Sequence, residues 1–302
     1  MNTSYPLVTV FTLIYNTNPK FVIEAIESVR ANNYPNLQHI IIDDCSPNPE
    51  PKKVVKEWIK QEDYPCEFYE HDINFGVCKT LNHVLKLAKG KYILGCSDDI
   101  LLKGSIEAKI MVFEQREKVG LVYTEIECIN ENGETINNIY KSVIIENNQQ
   151  AFDILKSTNY IPIASCMFSM QMLNELNGFD ESITFEDWDI FLSIAKSNWR
   201  IVNIPDVTAK YRIHSNSMWQ KKNASNLISI IKIFIKHDLF NKSFGILNYF
   251  DFFRTLRLID KMKIVVFIFK NRQISLGAFY VLSNIKFLRV VRFYLYKLVY
   301  LN

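Results

Sequence analysis

Over its first hundred residues the chain alternates apolar runs of strand length with apolar residues at helical spacing, and nothing else in it constrains the fold as much. Leu7 to Leu13 is a β-rich run closed by Tyr15-Asn16. Asn18-Pro19 then supplies an N-cap and a first-turn proline, and Phe21, Val22, Ala25, Ile26 and Val29 follow at helical spacing. His39 to Ile42 is a second strand, Val54, Val55, Trp58 and Ile59 mark a second helix, and Glu67 to Tyr69 is a weak third strand. After the turn Asn74-Phe75-Gly76 a third helix carries Val77, Leu81, Val84, Leu85 and Ala88 inward. Gly90 ends it, and Tyr92 to Cys96 reads as a fourth, buried strand. Such alternation implies parallel strands in an open, mainly parallel, doubly wound α/β sheet.

Polar residues recur where these strands end, at Tyr15-Asn16, Asp43-Asp44 and Ser97-Asp98-Asp99. Consecutive parallel strands place such tips along one edge, where open α/β sheets bind ligands. Two adjacent carboxylates at the end of a central strand are costly without a positive partner. A hard divalent cation carrying a diphosphate would explain the pair; the plainer alternative is an Asp-Asp turn capping the next helix. No GxGxxG or GxxxxGK[ST] pattern is present, which argues against a dinucleotide site and a P-loop.

Further along, the spacing predicts a helix from Ser105 to about Arg116, a strand from Gly120 to Ile129 and a hairpin turn at Asn130-Glu131-Asn132-Gly133. Residues 134–165 are poorly patterned. Gly178-Phe179-Asp180 breaks the chain, and a second acidic cluster, Glu186-Asp187-Trp188-Asp189, opens a helix through Ile190, Phe191, Ile194 and Ala195. Acids in a first helical turn also suit the helix dipole, so capping is the ordinary reading there. Val207 to Arg212 is a last strand, running into Ile213-His214-Ser215.

The 302 residues suit a domain of about 220 residues with an appendage, divided here as 1–222 and 223–302. Charge separates the two parts. Residues 1–224 hold 22 Lys/Arg against 29 Asp/Glu, whereas residues 225–302 hold 13 Lys/Arg against three acids. The tail combines these cations with apolar residues at helical spacing, beginning with Leu227, Ile230, Ile231, Phe234 and Ile235, so a C-terminal helical extension is expected. It suits an anionic membrane surface, with packing on the catalytic domain or a homodimer contact as alternatives. No nucleic-acid motif accompanies the charge. The six cysteines show no CxxC pair and read as reduced thiols of a cytosolic protein. No signal peptide is expected, and no uncharged apolar stretch reaches the roughly 18 residues of a spanning helix.

In order along the chain, Tyr15-Asn16, Ile41-Ile42-Asp43-Asp44-Cys45-Ser46, Asn74-Phe75-Gly76 ahead of Asn82, Gly90-Lys91-Tyr92-Ile93 leading to Ser97-Asp98-Asp99, Gly178-Phe179-Asp180 before Glu186-Asp187-Trp188-Asp189, and Tyr211-Arg212-Ile213-His214 resemble the family 2 glycosyltransferases of GT-A fold. The resemblance covers Leu7 to Met218. It departs from the family at Leu13-Ile14, in the place of Pro-Thr, and at Ser97, where the first Asp of an Asp-x-Asp metal motif would fall.

The resemblance implies an inverting transfer of a hexosyl or acetamidohexosyl group from a nucleoside-diphosphate sugar to a hydroxyl of a glycan or lipid-linked acceptor. Bacterial surface polysaccharide synthesis, on the inner face of the cell membrane, is the implied setting. It makes Asp99 the ligand of Mn²⁺ or Mg²⁺, with His214 assisting, and puts Asp98 on the ribose or a metal-bound water. Asp187 becomes the general base, with Glu186 or Asp189 orienting it and Trp188 stacking on a sugar or lying in the core. Tyr15 and Asp44 contact the base, Asp44 in a way that favours uracil, while Asp43 braces its loop. Asn74, Gly76 and Asn82 shape the pocket. A catalytically weak glycan-binding or scaffold subunit is the non-enzyme alternative. A nucleotidyltransferase is disfavoured because no Gly-rich basic loop follows Leu13.

Overall fold

The computed structural model describes residues 5–140, 143–213 and 224–239. The chain divides into two compact units. The first comprises Met1–Leu155, Asn159–Ser182 and Glu186–Ser217; the second comprises Lys156–Thr158, Ile183–Phe185 and Met218–Asn302.

The first unit opens with β1 (Val8–Ile14), α1 (Pro19–Asn32), β2 (Leu37–Asp43), α2 (Glu50–Glu62), β3 (Glu67–Glu70), α3 (Val77–Leu87) and β4 (Tyr92–Gly95). The helix starts where the sequence puts it: Asn18 Oδ1 accepts from the Lys20 N–H at 3.0 Å, and Pro19 follows. Asn33, in the left-handed region at φ 51°, ends it. β1, β2, β3 and β4 are parallel, in the spatial order β3-β2-β1-β4. Ile40, Ile41 and Ile42 are fully buried, as a strand covered on both faces requires. Gly90 permits the entry into β4. A Cβ there would stand 2.4 Å from the Thr9 backbone nitrogen, and its N–H donates to Thr9 Oγ1 at 3.0 Å.

The remainder is β5 (Ile100–Leu101), α4 (Ser105–Gln115), β6 (Val119–Ile129), β7 (Thr135–Tyr140), α5 (Asn148–Leu155), a short 3₁₀ turn at Ile163–Ser165, β8 (Met167–Ser169), α6 (Met170–Glu175), α7 (Glu186–Ala195) and β9 (Arg200–Arg212). Here antiparallel strands join the mainly parallel sheet. β8 runs antiparallel to both β4 and β6, β7 antiparallel to β6, and β5 antiparallel to β9, while β6 and β9 are parallel. Strands of two and three residues carry no readable period, which is why β5 and β8 escape sequence patterning. The β6–β7 connection is the expected hairpin, with Gly133 at φ 85°. One core gathers Val8, Val10, Tyr92 and Leu94 of the sheet with Ala25 and Val29 of α1 and Ile106, Ile110 and Phe113 of α4. All six cysteines are free thiols.

Of the second unit, α8 (Ala224–Lys236) is described. Leu227, Ile230, Ile233 and Phe234 are buried, and Ser229 Oγ accepts from the N–H groups of Thr184 and Phe185 at 2.7 and 3.3 Å. Ile231 and Ile235 on the same helix are half-buried. The basic residues beyond 239, and His214, lie outside the described residues. Among the described residues, no helix is long and apolar enough to cross a membrane.

Candidate active site

The parallel register sets the strand tips side by side. Ile14 pairs with Asp43, and the Asp44 N–H donates to Ile14 O at 2.9 Å, so Tyr15 and Asp44 leave the sheet at one level. Phe11 pairs with Gly95, two residues before Ser97. The Leu13 N–H donates to Ser97 Oγ at 3.0 Å, so the serine hydroxyl continues the β1–β4 ladder one step past the last strand bond. Tyr15 stands half-exposed at the rim.

Asp44 is not the free acceptor the resemblance implies. Buried, it accepts from Phe75 N and Gly76 N, both at 2.9 Å, and its Oδ1 lies 2.7 Å from His71 Nδ1. Its side chain therefore braces the Asn74-Phe75-Gly76 turn, the kind of work expected of Asp43. Asn74 Nδ2 adds a bond to Asp44 O at 3.3 Å, and Gly76 takes φ 79°, which favours glycine. His71 Nε2 in turn meets His83 Nδ1 at 2.8 Å, extending the chain of bonds away from Asp44. Asp43 accepts from Ser46 N at 3.1 Å on one oxygen, and its other oxygen is buried without a protein partner among the described residues.

Ser97-Asp98-Asp99 does not cap a helix. It links β4 to β5, and α4 begins only at Ser105. Arg212, the last residue of β9, holds this turn from beneath with its side chain fully buried. Its Nε donates to Asp98 O at 2.9 Å, its Nη1 to Asn130 O at 3.3 Å and its Nη2 to Glu24 Oε2 at 2.6 Å. The guanidinium lies 4.2 Å from the centroid of the Phe21 ring, and the Arg212 N–H donates to Asp99 Oδ1 at 2.8 Å. Burial and the charge of Asp98 raise the Asp99 carboxyl well above its ordinary range, against the pull of Arg212.

The second acidic cluster forms the first turn of α7. Asp187 Oδ1 accepts from the Trp188 N–H at 2.7 Å, and Asp187 Oδ2 from Asn159 Nδ2 at 2.8 Å. Burial raises the Asp187 pKa while these two donors oppose the rise. Burial, and then the Asp187 charge, push Glu186 up to about 8. Beside the expected orienting neighbours, Glu186 or Asp189, Asn159 and a backbone N–H hold the Asp187 carboxylate. Trp188 is a core residue, 1% exposed, whose Nε1 donates to Leu155 O at 2.7 Å; it presents no face to a sugar. Asn82 braces the preceding loop: its Oδ1 accepts from Phe179 N and its Nδ2 donates to Phe179 O, both at 2.9 Å. Gly178 sits at φ 71°, where a Cβ would lie 2.6 Å from Asn82 Oδ1.

The two acidic clusters converge. After burial, the charges of Asp99, Asp98 and Asp187 together push the Tyr211 hydroxyl up to about 12. Three carboxylates from motifs nearly ninety residues apart therefore act on one side chain beside Arg212. For a hard divalent cation, which takes one or two carboxylates, Asp98 and Asp99 are the pair that would supply them. Among the described residues no group of three or more His, Cys, Asp or Glu is arranged around a metal-sized centre. Arg212, Glu24, Asn159, His71 and His83 were not singled out by sequence reasoning. Arg212 had a signal, a second cation two residues after Lys210 at the end of a strand; Asn159, in an unpatterned stretch, had none.

The chain matches the family model described as glycosyl transferase family 2 over residues 9–176. It is similar to an uncharacterised glycosyltransferase of Methanocaldococcus jannaschii, 27% identical over 232 residues that cover 75% of each chain. It also resembles the putative teichuronic acid biosynthesis glycosyltransferase TuaG of Bacillus subtilis, 24% identical over 72% of this chain and 83% of that one. Other relatives are longer, and the chain spans a fifth to a third of their length. In structure it is similar to S. aureus TarS solved with UDP-GlcNAc, with a TM-score of 0.65 and 14% identity over 86% of this chain and 79% of that one. A mannosyltransferase from Pyrobaculum calidifontis, solved with GDP-Man and Mn²⁺, gives a TM-score of 0.57 and 16% identity over 95% and 83%. The fold is that of the GT-A glycosyltransferases, and the chain belongs to glycosyltransferase family 2.

Proposed function

We propose that the protein is an inverting, metal-dependent transferase. It would move a hexosyl or acetamidohexosyl group from a UDP-sugar to a hydroxyl of a glycan or lipid-linked acceptor in surface polysaccharide synthesis. The observation that supports this reading is that Asp98 and Asp99, at the end of β4, and Asp187, in the first turn of α7, all act on the Tyr211 hydroxyl, next to the Arg212 N–H that binds Asp99. Nucleotide-sugar and Mn²⁺ complexes of the structural neighbours, and a relative named for teichuronic acid synthesis, support the donor class, the metal and the setting. Residues 1–222 would be the catalytic part, and residues 223–302 would carry acceptor or membrane contacts.

In this scheme Asp187 takes the proton of the acceptor hydroxyl as it attacks the anomeric carbon from the face opposite the diphosphate. Its two hydrogen bonds favour the ionised form that this task needs, against the effect of burial. Asp99, with His214, would hold Mn²⁺ or Mg²⁺, which when bound offsets the charge gained by the leaving diphosphate. Asp98 takes the ribose or a metal-bound water. Tyr15 meets the base, and the Asp44-braced turn with Asn74 and Gly76 shapes the slot around it.

Calorimetric titration with UDP, GDP and CDP, each with Mn²⁺ or with EDTA, tests the donor reading. Binding of UDP in Mn²⁺ and its loss in EDTA are expected. Equal binding of all three, or binding indifferent to EDTA, overturns it. Asp187→Asn should retain UDP binding and lose transfer by roughly 10² or more; unchanged turnover would remove Asp187 as the base.

A further inference from the structure

Asn159 lies between α5 and the Ile163–Ser165 turn, in the stretch without sequence pattern. Both flanks of that stretch are tied down. Trp188 Nε1 holds Leu155 O at 2.7 Å, and Ser165 Oγ and Cys166 Sγ hold Pro162 O at 3.0 and 3.4 Å. The buried tryptophan and the catalytic-side acid are neighbours on α7, so one helix turn fixes both the carboxylate and the segment that reaches it.

The orientation of the Asn159 amide follows from its surroundings. Its Nδ2 donates to Asp187 Oδ2, while its Oδ1 is buried without a protein partner among the described residues. Turning the amide over would aim an oxygen at a carboxylate. The fold keeps a buried acceptor unsatisfied and keeps the donor on Asp187, an arrangement that in native structures calls for an explanation.

We infer that Asn159 is the positioning residue of Asp187: with the Trp188 N–H it fixes the plane of the carboxylate and keeps it an acceptor. This rests on the proposed role of Asp187. Both Asp187 oxygens are occupied on their α7 and Asn159 sides, which leaves their remaining lone pairs for a hydroxyl entering from elsewhere. Among the described residues, the titratable groups that interact with it are Glu186 on its own helix, the Cys166 thiol just before β8, beyond which Lys109 lies, and the Tyr211 hydroxyl on β9. Glu186, Cys166 and Tyr211 offer no positive charge, and the neutral donor of Asn159 is the side chain seen to favour the charged form.

The test reads the carboxyl directly and needs no substrate. In protein labelled with ¹³C at the aspartate side-chain carboxyl, Asp187→Asn identifies the Asp187 resonance, which is then titrated with pH. Asn159→Leu, similar in size and without a donor, should move the midpoint to higher pH. Asn159→Asp, isosteric and bearing a like charge, should move it the same way and serves if the leucine variant does not fold. A midpoint unchanged in a folded variant overturns the inference. If the midpoint moves while Asp187→Asn still transfers sugar, Asn159 is confirmed as the partner of Asp187 and the base assignment is what fails.

Discussion

Replacing Arg212 with methionine removes the cation beneath the acidic turn but keeps a long apolar stem against Phe21. Three hydrogen bonds disappear, to Asp98 O, Asn130 O and Glu24. Removing one member of a buried ion pair costs about 3–5 kcal/mol. Glu24 is 31% exposed and lies 3.7 Å from Lys20, so it can turn to water and that lysine; this places the expected loss near the lower end, about 3 kcal/mol. The Asp99 bond is to the Arg212 backbone and survives. Arg212→Lys keeps the charge without the fork that reaches three acceptors, and should cost about 2 kcal/mol. Glu24→Gln leaves the guanidinium its two carbonyls and should cost about 1 kcal/mol. Urea unfolding followed by tryptophan fluorescence gives the differences from the midpoints at common slope. The same variants should bind UDP in Mn²⁺ more weakly in the order Met, Lys, Gln, because Arg212 holds the Asp98 carbonyl. A methionine variant within 1 kcal/mol of the parent, binding UDP and Mn²⁺ as well, would show that the turn holds itself.

Two further predictions concern the frame of the site. His39 is buried between Thr12 Oγ1 at 3.0 Å and the Tyr64 hydroxyl at 2.9 Å, and burial lowers its pKa to about 3. The unfolded chain therefore binds its proton first, and stability present above pH 6.5 is lost as pH falls toward 3, by about 2 kcal/mol at pH 5. In His39→Gln that part of the difference between unfolding at pH 7 and pH 5 should vanish; an unchanged difference refutes it. Gly90→Ala should cost more than Gly76→Ala in the same urea assay. A Cβ at Gly90 meets the Thr9 nitrogen at 2.4 Å and the Tyr92 carbonyl oxygen at 2.7 Å, whereas at Gly76 it enters open space and bears only the strain of φ 79° with ψ 163°, about 1–3 kcal/mol. Equal costs would contradict the close packing of β1 on the Gly90 loop.

The half of the fold that repeats strand and helix was legible because each element there is long enough to show its period. β1, β2 and α1 start or end within a residue or two of where the apolar runs predict. The mixed half was not. β5 has two residues and β8 three, and their pairing with β9, β4 and β6 is decided by tertiary contact, which leaves no local trace. The same distinction governs the site. Acidic pairs stood out because carboxylates at strand ends demand an explanation. Which oxygen does which work did not, because the donors to Asp44, Asp99 and Asp187 come from residues 31, 113 and 28 positions away, as well as from the next N–H in the chain.

Ser97 shows how such a site tolerates a lost carboxylate. An aspartate at that position would bring a third negative charge to a turn held by the buried cation Arg212, which already answers to Glu24. The serine hydroxyl instead accepts from the Leu13 N–H, so its oxygen does for the backbone what a carboxylate oxygen would have done, without the charge. Asp99 is raised by burial first and then by the charge of Asp98, so a further carboxylate would add to the second of these. Ser97→Asp should therefore leave the Leu13 bond in place, destabilise the protein in the absence of divalent ions, and recover stability as Mn²⁺ is added. If the variant were as stable as the parent in EDTA, charge crowding would not be what limits this turn to two carboxylates.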